Sequence, residues 1–153
     1  MSERLPRDWI LSDLLREFPE IQHEKPVVFR CREPTVGKGH FLKQVWGGPQ
    51  FADVFVEVTP ADTLCITLGH EWPVGLPSEK MAELDRALLS GILAAMAERG
   101  HLALWGCRIK STAVLFDERT SPISIRVAAA LAVHDMMGTA VWTPHPPNEP
   151  EAA

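Results

Sequence analysis

The six histidines of this 153-residue chain are the residues best suited to acid–base chemistry, and they are scattered. Two of them precede an acid directly, in the pairs His70-Glu71 and His134-Asp135. Neighbouring side chains point to opposite faces of a strand and do not face each other on a helix, so neither pair predicts a catalytic dyad. Ser111 has no histidine near it in sequence, although a triad formed in space stays open. We predict no catalytic residues and expect a protein that is not an enzyme.

Three cysteines, Cys31, Cys65 and Cys107, are odd in number and form no CxxC pair, and no histidine stands at metal-ligand spacing from them. This pattern argues against a zinc site, and we predict neither a metal nor a cofactor. Each cysteine is expected to be a small buried hydrophobic residue. An alternative stays open for Cys31, because the flanking Arg30 and Arg32 would stabilise a reactive thiolate.

Cations are concentrated in one short stretch of a chain whose net charge is −5. Residues 23–50 hold five Lys or Arg against two Glu, whereas residues 51–90 hold two against seven acids. Cationic side chains bind phosphate groups, and an aromatic ring beside them can stack on a base. We therefore predict an RNA-binding site here, with the alternative of a solvated hairpin whose Trp46 packs on the core. The candidate residues are Lys38, His40, Lys43, Trp46, Gly47, Gly48 and Gln50.

The composition excludes several classes of protein. Hydrophobic residues make up 46% of the chain and charged residues 23%, which excludes a wholly disordered protein. The acidic balance argues against indiscriminate binding to nucleic acid or to an anionic membrane. No apolar run approaches the roughly 18 residues of a membrane span, and the charged N-terminal segment lacks the core of a signal peptide. We expect a cytoplasmic protein with no membrane partner.

Hydrophobic periodicity predicts the elements that would hold the basic segment. A turn is predicted from Pro34 to Gly39, which would join the two strands beside it in a hairpin. We expect an α+β fold: a mostly antiparallel four- to five-stranded sheet with two main helices on one face. Helices are predicted over 9–18, 78–99 and 122–137, and strands over 25–33, 40–46, 51–58, 64–68, 107–116 and, as a last candidate, 141–143.

The order of these elements, together with several short motifs, resembles the fourth domain of translation elongation factor G. The strand 25–33 carries that family's lysine–proline, two apolar residues, aromatic, arginine and glutamate. Lys43-Gln44, Gly47-Gly48 and Gln50-Phe51 follow the family's first loop at the domain tip. Gly75-Leu76-Pro77 resembles the entry to its first helix, and the segment from Ser121 to Ala132 resembles its second helix. The resemblance rests on this shared order over residues 11–144.

The resemblance implies a ribosomal protein S5 domain 2-like fold with a left-handed β-α-β crossover. It also implies a division of the chain into an N-terminal helix over 1–22, which resembles the end of the factor's preceding domain, a domain IV-like unit over 23–144, and a tail over 145–153. The implied function is a stand-alone, non-catalytic translation-factor-like domain that binds the ribosome or structured RNA through the basic hairpin and the glycine loop.

Two departures from the family favour a second function. The chain has no phosphate-binding loop of a GTPase, and the segment between Phe116 and Ser121 is shorter than the family's second tip loop, which carries a histidine and an aspartate. The alternative is therefore a protein–protein interaction module that retains the fold without binding the ribosome.

The N-terminal apolar stripe, Leu11, Leu14, Leu15 and Phe18, needs a surface to cover it. A helix of about ten residues is marginal alone and must gain its stability from packing. The stripe either folds back on its own sheet or meets a second copy of the chain. We expect a homodimer through these four residues, because a two-fold contact would also cover exposed strand edges.

Overall fold

A computed structural model of the protein describes residues 7–17, 28–45, 48–99 and 105–145. Within these ranges the chain forms seven strands and three helices, and no helix is both long and apolar enough to cross a membrane. In chain order the elements are β1 (Asp8–Ile10), α1 (Leu11–Glu17), β2 (Val28–Cys31), β3 (Thr35–Val45), β4 (Gly48–Pro60), β5 (Cys65–Leu68), α2 (Ser78–Glu98), β6 (Trp105–Leu115), α3 (Pro122–Thr139) and β7 (Trp142–His145).

The seven strands belong to one mixed sheet in which β6 has the most partners. β6 pairs with β4 antiparallel, with β5 parallel and, through its first two residues, with β2 parallel. β3, β1 and β7 extend the sheet as antiparallel partners of β4, β5 and β2. The predicted α+β class is confirmed. The predicted sheet matches only in part: it has seven strands instead of four or five, and β6 has two parallel neighbours, β2 and β5. The sequence missed β1 because a strand of three residues is too short to show an alternation.

The turn predicted at Pro34–Gly39 is wrong, because β3 runs through this segment and pairs with β4 along its whole length. Gly37 and Gly39 stand in the strand because α3 lies directly on it. A Cβ at Gly39 would overlap the carbonyl oxygen of Ala128 and lie 2.5 Å from the backbone nitrogen of Ala132. The hairpin is therefore β3–β4, and its reversal at residues 46–47 lies outside the described residues.

The helices α2 and α3 form a layer on one side of the long strands. α3 packs on β3 and β4, and α2 packs on α3, where a Cβ at Gly91 would lie 3.0 Å from Cβ of Ala129. Most strand side chains that face this layer are apolar and buried; on the two central strands they include Val54, Val56, Val58, Cys107 and Ile109, and the buried polar side chain among them is Ser111. Alternate residues of β3, β4 and β6 point to the other side of the sheet. We call that side the open face; its members on these strands include Val36, Lys38, His40, Leu42, Phe51, Asp53, Phe55, Glu57, Arg108 and Lys110.

The ends of α3 fix its position on the sheet. Ser121 caps the first turn: its Oγ accepts the backbone N–H of Ser124 at 3.2 Å, and the N–H of Ser121 donates to Oγ of Ser124 at 2.8 Å. Near the other end, Oδ2 of Asp135 accepts the backbone N–H of Lys38 at 3.0 Å. The helix therefore covers part of the outer edge of β3 as well as its inner side.

The N-terminal segment folds back on its own chain. The sequence predicts a helix from Trp9, but Trp9 belongs to β1 and α1 begins two residues later. Leu14 is fully buried in the core. It therefore cannot make the dimer contact that the sequence predicts for it. The side chains of Leu11 and Leu15, and the whole of Phe18, lie outside the described residues, and the homodimer itself stays a prediction.

β7 confirms the last candidate strand and extends it to His145, which the sequence assigns to the tail. Its pairing with β2, beside the start of β6, brings three aromatic rings together. The ring centroids of Phe29 and Trp105 are 5.7 Å apart, and those of Trp105 and Trp142 are 5.1 Å apart. This cluster closes the end of the sheet opposite to the β3–β4 reversal.

We expect Gly39→Ala to lower the free energy of unfolding by about 1–3 kcal/mol, because the added methyl group overlaps helix backbone that cannot move independently. Gly138→Ala is the matched control: Gly138 lies in α3 with open space around its Cβ position, and alanine is favoured over glycine in helices. Urea denaturation of both variants measures the difference. Equal stability of the two variants would contradict the close contact of α3 with β3.

Candidate functional site

The structure divides the predicted RNA-binding residues between the two sides of the β3–β4 hairpin. Lys38 and His40 lie on the open face, and both are exposed. Lys43 and Gln50 are cross-strand partners whose side chains belong to the opposite side, near the reversal. The strand alternation, which the mistaken turn concealed, is the physical reason for this division.

The end of the hairpin projects beyond the rest of the sheet. The last residue of β6, Leu115, pairs with Asp53, so residues 48–52 of β4 extend past β6. Gly48 has a φ of 115°, a conformation that favours glycine at the reversal. The predicted site residues Trp46 and Gly47 lie outside the described residues. The loop after β6 reaches the hairpin here, where the N–H of Phe51 donates to the carbonyl of Arg119 at 3.3 Å.

Two cations lie over aromatic rings of β4, and the sequence analysis did not include these rings among the site residues. Nζ of Lys38 is 5.4 Å from the ring centroid of Phe55, and Cζ of Arg119 is 4.7 Å from that of Phe51. Both rings are half-buried, and neither packs against the hydrophobic core. Along β4 the side chains alternate between the two faces of the sheet, so Phe55 points away from the buried face that holds Val56. This alternation is the sequence signal that could have identified the two rings as surface residues.

Arg119 is held in place by its own loop. Its Nε and Nη2 donate to the carboxylate of Asp117 at 3.1 and 2.6 Å, and its backbone N–H donates to Oδ1 at 2.7 Å. The hydrogen bond from Arg119 holds the pKa of Asp117 below its usual value. The backbone N–H of Asp117 donates to Oγ1 of Thr120 at 3.0 Å, which closes the turn. The short loop therefore fixes a guanidinium plane above the Phe51 ring.

His40 lies beside the Phe51 ring on the open face, level with Asp53 between the two phenylalanines. It is the cross-strand partner of Asp53, and its Nδ1 is in hydrogen-bond contact with that carboxylate. The side chain of Asp53 is only 8% exposed, whereas that of His40 is 54% exposed. The imidazole also lies edge-on to the Phe51 ring, with centroids 6.1 Å apart. We call Phe51, His40 and Phe55 the ring row.

Serine, histidine and aspartate side chains, the types used in acyl transfer, meet inside the protein. Nδ1 of His70 lies 2.6 Å from Oγ of Ser111, and its Nε2 lies 2.7 Å from Oδ1 of Asp85. In a catalytic Ser-His-Asp triad the histidine Nε2 faces the serine, so this ring is reversed. All three residues are at most 1% exposed, and the serine Oγ also accepts the backbone N–H of Gly69 at 3.1 Å. The arrangement is a buried structural network without access for a substrate.

The carboxylate of Asp85 accepts hydrogen bonds from two other parts of the chain, the loop after β5 and the segment before β1. Besides His70, it accepts Nε1 of Trp72 at 2.8 Å and Nη1 of Arg7 at 2.9 Å. Burial is the largest single effect and acts to raise the pKa of Asp85. The hydrogen bonds from His70 and Trp72 and the positive charge of Arg7 outweigh burial, so the pKa lies below its usual value. Arg7 also donates to the carbonyl of His70 at 2.7 Å, which ties the segment before β1 to the loop after β5.

The hypothesis of a reactive thiolate at Cys31 is wrong. The residue is 2% exposed, and burial raises the pKa of its thiol although Sγ donates to the carbonyl of Glu33 at 3.0 Å. Burial also raises the pKa of Cys107. Over the described ranges, no group of three or more His, Cys, Asp or Glu side chains is placed to hold a metal ion.

Neither a family model nor a curated protein matches the chain. Fifty-five chains of solved structures do match it. One is the crystal structure of ttk003000868 from Thermus thermophilus, which aligns with 78% of this chain at a TM-score of 0.61 and 22% sequence identity. The present chain spans 18% of the length of that neighbour. At this identity the likeness shows a shared fold, and nothing about activity.

We expect Asp85→Ala to lower the free energy of unfolding by about 3–5 kcal/mol at pH 7, because it leaves the buried donors of His70 and Trp72, and the partly buried Nη1 of Arg7, without this acceptor. Asp62→Ala is the matched control. The Asp62 carboxylate is 92% exposed, 3.4 Å from Arg30, and such a pair contributes less than about 1 kcal/mol.

The stability difference between wild type and Asp85→Ala should also depend on pH. Because the folded-state pKa of Asp85 is lowered, its contribution is complete above the ordinary aspartate pKa of about 4 and is lost as the pH falls through the folded-state value. Urea denaturation between pH 7 and pH 2 measures this loss. A difference that stays constant or grows toward pH 2 would contradict an ionised, charge-paired Asp85.

Proposed function

We propose that this protein is a non-catalytic domain that binds the ribosome or another structured RNA through the β3–β4 hairpin and its glycine loop. The observation that carries the proposal is the projecting end of the hairpin, with the exposed cation Lys43 on one side of it and, three residues below it on the other side of the sheet, the exposed cation Lys38. A projecting arm with one cation on it and another beside it can reach phosphate groups that a flat surface cannot, and phosphate contacts provide most of the affinity for RNA.

The fold supports the same function through the resemblance to the fourth domain of elongation factor G. In that family a β-α-β unit connects parallel neighbours by a left-handed crossover, and β5–α2–β6 has the same order and the same parallel pairing. We include the S5 domain 2-like topology, the left-handed crossover and a cytoplasmic location in the proposal. The homodimer is not needed for it, since Leu14 lies in the core of its own chain.

The buried position of Ser111, His70 and Asp85 supports the non-catalytic part of the proposal, because a nucleophile must reach its substrate. One observation favours the second candidate function, a protein–protein interaction module. Val36 and Leu42 on the open face are 69% and 56% exposed, and a protein partner would bury such aliphatic side chains.

We expect Lys38→Ala and Lys43→Ala each to weaken binding to small ribosomal subunits and to lower its logarithmic salt dependence by about one, because each removes one phosphate contact. Trp46→Ala should weaken binding further, by about 1–3 kcal/mol for a lost base stack. Co-sedimentation at a series of salt concentrations measures all three variants.

Lys80→Ala on α2 is the control for the loss of one positive charge outside the hairpin. It should leave both affinity and salt dependence unchanged. Binding that is the same in wild type and in all three hairpin variants would count against the RNA proposal and favour the interaction module.

A further inference from the structure

The open face presents cations to solvent while its acids are occupied. Arg108 and Lys110 are exposed on β6, and Lys38 is exposed on β3, with β4 between the two strands. Of the nearby carboxylates, that of Asp53 contacts His40, and that of Asp117 binds Arg119. Glu57, the remaining acid of β4 on this face, is half-buried opposite Lys110. Asp8 on β1 and Asp135 on α3 add acids beside Arg108 and Lys38, and each already accepts a hydrogen bond, from Thr67 and from the Lys38 N–H respectively. The face is therefore mixed in charge, and its exposed cations are the groups that can contact an anionic ligand.

The spacing of the ring row indicates what kind of anion fits. Phe51 and Phe55 are four residues apart on one strand, which corresponds to about 14 Å at roughly 3.4 Å per residue. Nucleotides stacked in a helix rise only about 3.4 Å per step. One continuous base stack therefore cannot place neighbouring bases on both rings, whereas a splayed single strand can. His40, between the rings, offers a third planar surface.

We propose that the open face binds an unpaired RNA strand, with bases on the Phe55 and His40 rings and on the Arg119 guanidinium over Phe51, and with phosphates on Lys38 and Lys110. This inference rests on the proposed function and adds to it both a second surface and the unpaired state of the RNA. Unpaired bases stack on aromatic rings and on arginine planes, whereas duplex RNA is recognised by its shape and backbone.

The cations over the rings are compatible with such stacking. Arg119 is fixed by Asp117, so a base stacks on the guanidinium plane that already lies on Phe51. Lys38 has a flexible side chain and a compact charge. Its amine can leave the Phe55 ring for a phosphate while a base takes its place.

The test measures binding of a fluorescent single-stranded RNA of about 12 nucleotides by anisotropy, with the same sequence as a duplex for comparison. The variants Phe55→Leu and Phe51→Leu keep an apolar side chain but remove the ring, and Phe55→Tyr keeps the ring. Thermal unfolding of each variant shows that it is folded. We expect Phe55→Leu to weaken single-strand binding by about 5- to 150-fold, Phe51→Leu to weaken it to a smaller extent, and Phe55→Tyr to bind within about twofold of wild type.

The duplex should bind more weakly than the single strand, and the two leucine variants should not change its affinity. Equal affinity of wild type, Phe51→Leu and Phe55→Leu for the single strand would overturn this inference. If Lys43→Ala still weakened binding to small ribosomal subunits, the proposed function would stand without it. Wild-type protein that binds neither the single strand nor the subunits would overturn both, and would leave the exposed aliphatic residues as a protein contact.

Discussion

The backbone contact between α3 and β3 is the constraint on which the rest of the structure depends. Gly37 and Gly39 remove the side chains that would hold the helix away from the strand, and small residues of α3, Ala128 and Ala132, meet them there. The missing side chain of Gly91 likewise lets α2 pack closely on α3. Both helices are thereby committed to one side of the long strands. Lys38, Arg108, Lys110 and the ring row lie on the opposite side, which neither of these two helices covers.

The parts of the fold that depend on residues close together in sequence, chiefly the two long helices, could be predicted from the sequence. α2 follows from an apolar stripe, and α3 follows from a capping serine and a proline at its start; these signals lie within or next to the helix concerned. The glycines of β3 led to a wrong prediction, because glycine in a short segment usually indicates a turn. Here the glycines make room for the backbone of α3, a helix about 90 residues away in sequence. β1 has too few residues to show a period, and only its pairing with β5 defines it.

The candidate site shows the same division between local and distant signals. Lys38 and His40 were found from composition alone, since charge clusters are visible in sequence. The ring of Phe51 became part of the surface only because the loop after β6 places Arg119 over it. Likewise, His70 meets Asp85 and Ser111 across 15 and 41 residues, because β5 and β6 are parallel neighbours that α2 connects. Serine, histidine and aspartate, which are residue types suited to catalysis, here join β6, the loop after β5 and α2.

The hydrogen bond from Lys38 to Asp135 has a consequence for assembly. Within the described part of the chain, β3 has a strand partner on one side only, and an eleven-residue strand with a free edge is a template for adding strands from other molecules. Asp135 occupies the outward N–H near the middle of that edge, and strand addition would have to displace a carboxylate from it. The helix that covers the sheet thus also interrupts its edge, which disfavours continuous edge-to-edge growth into fibres.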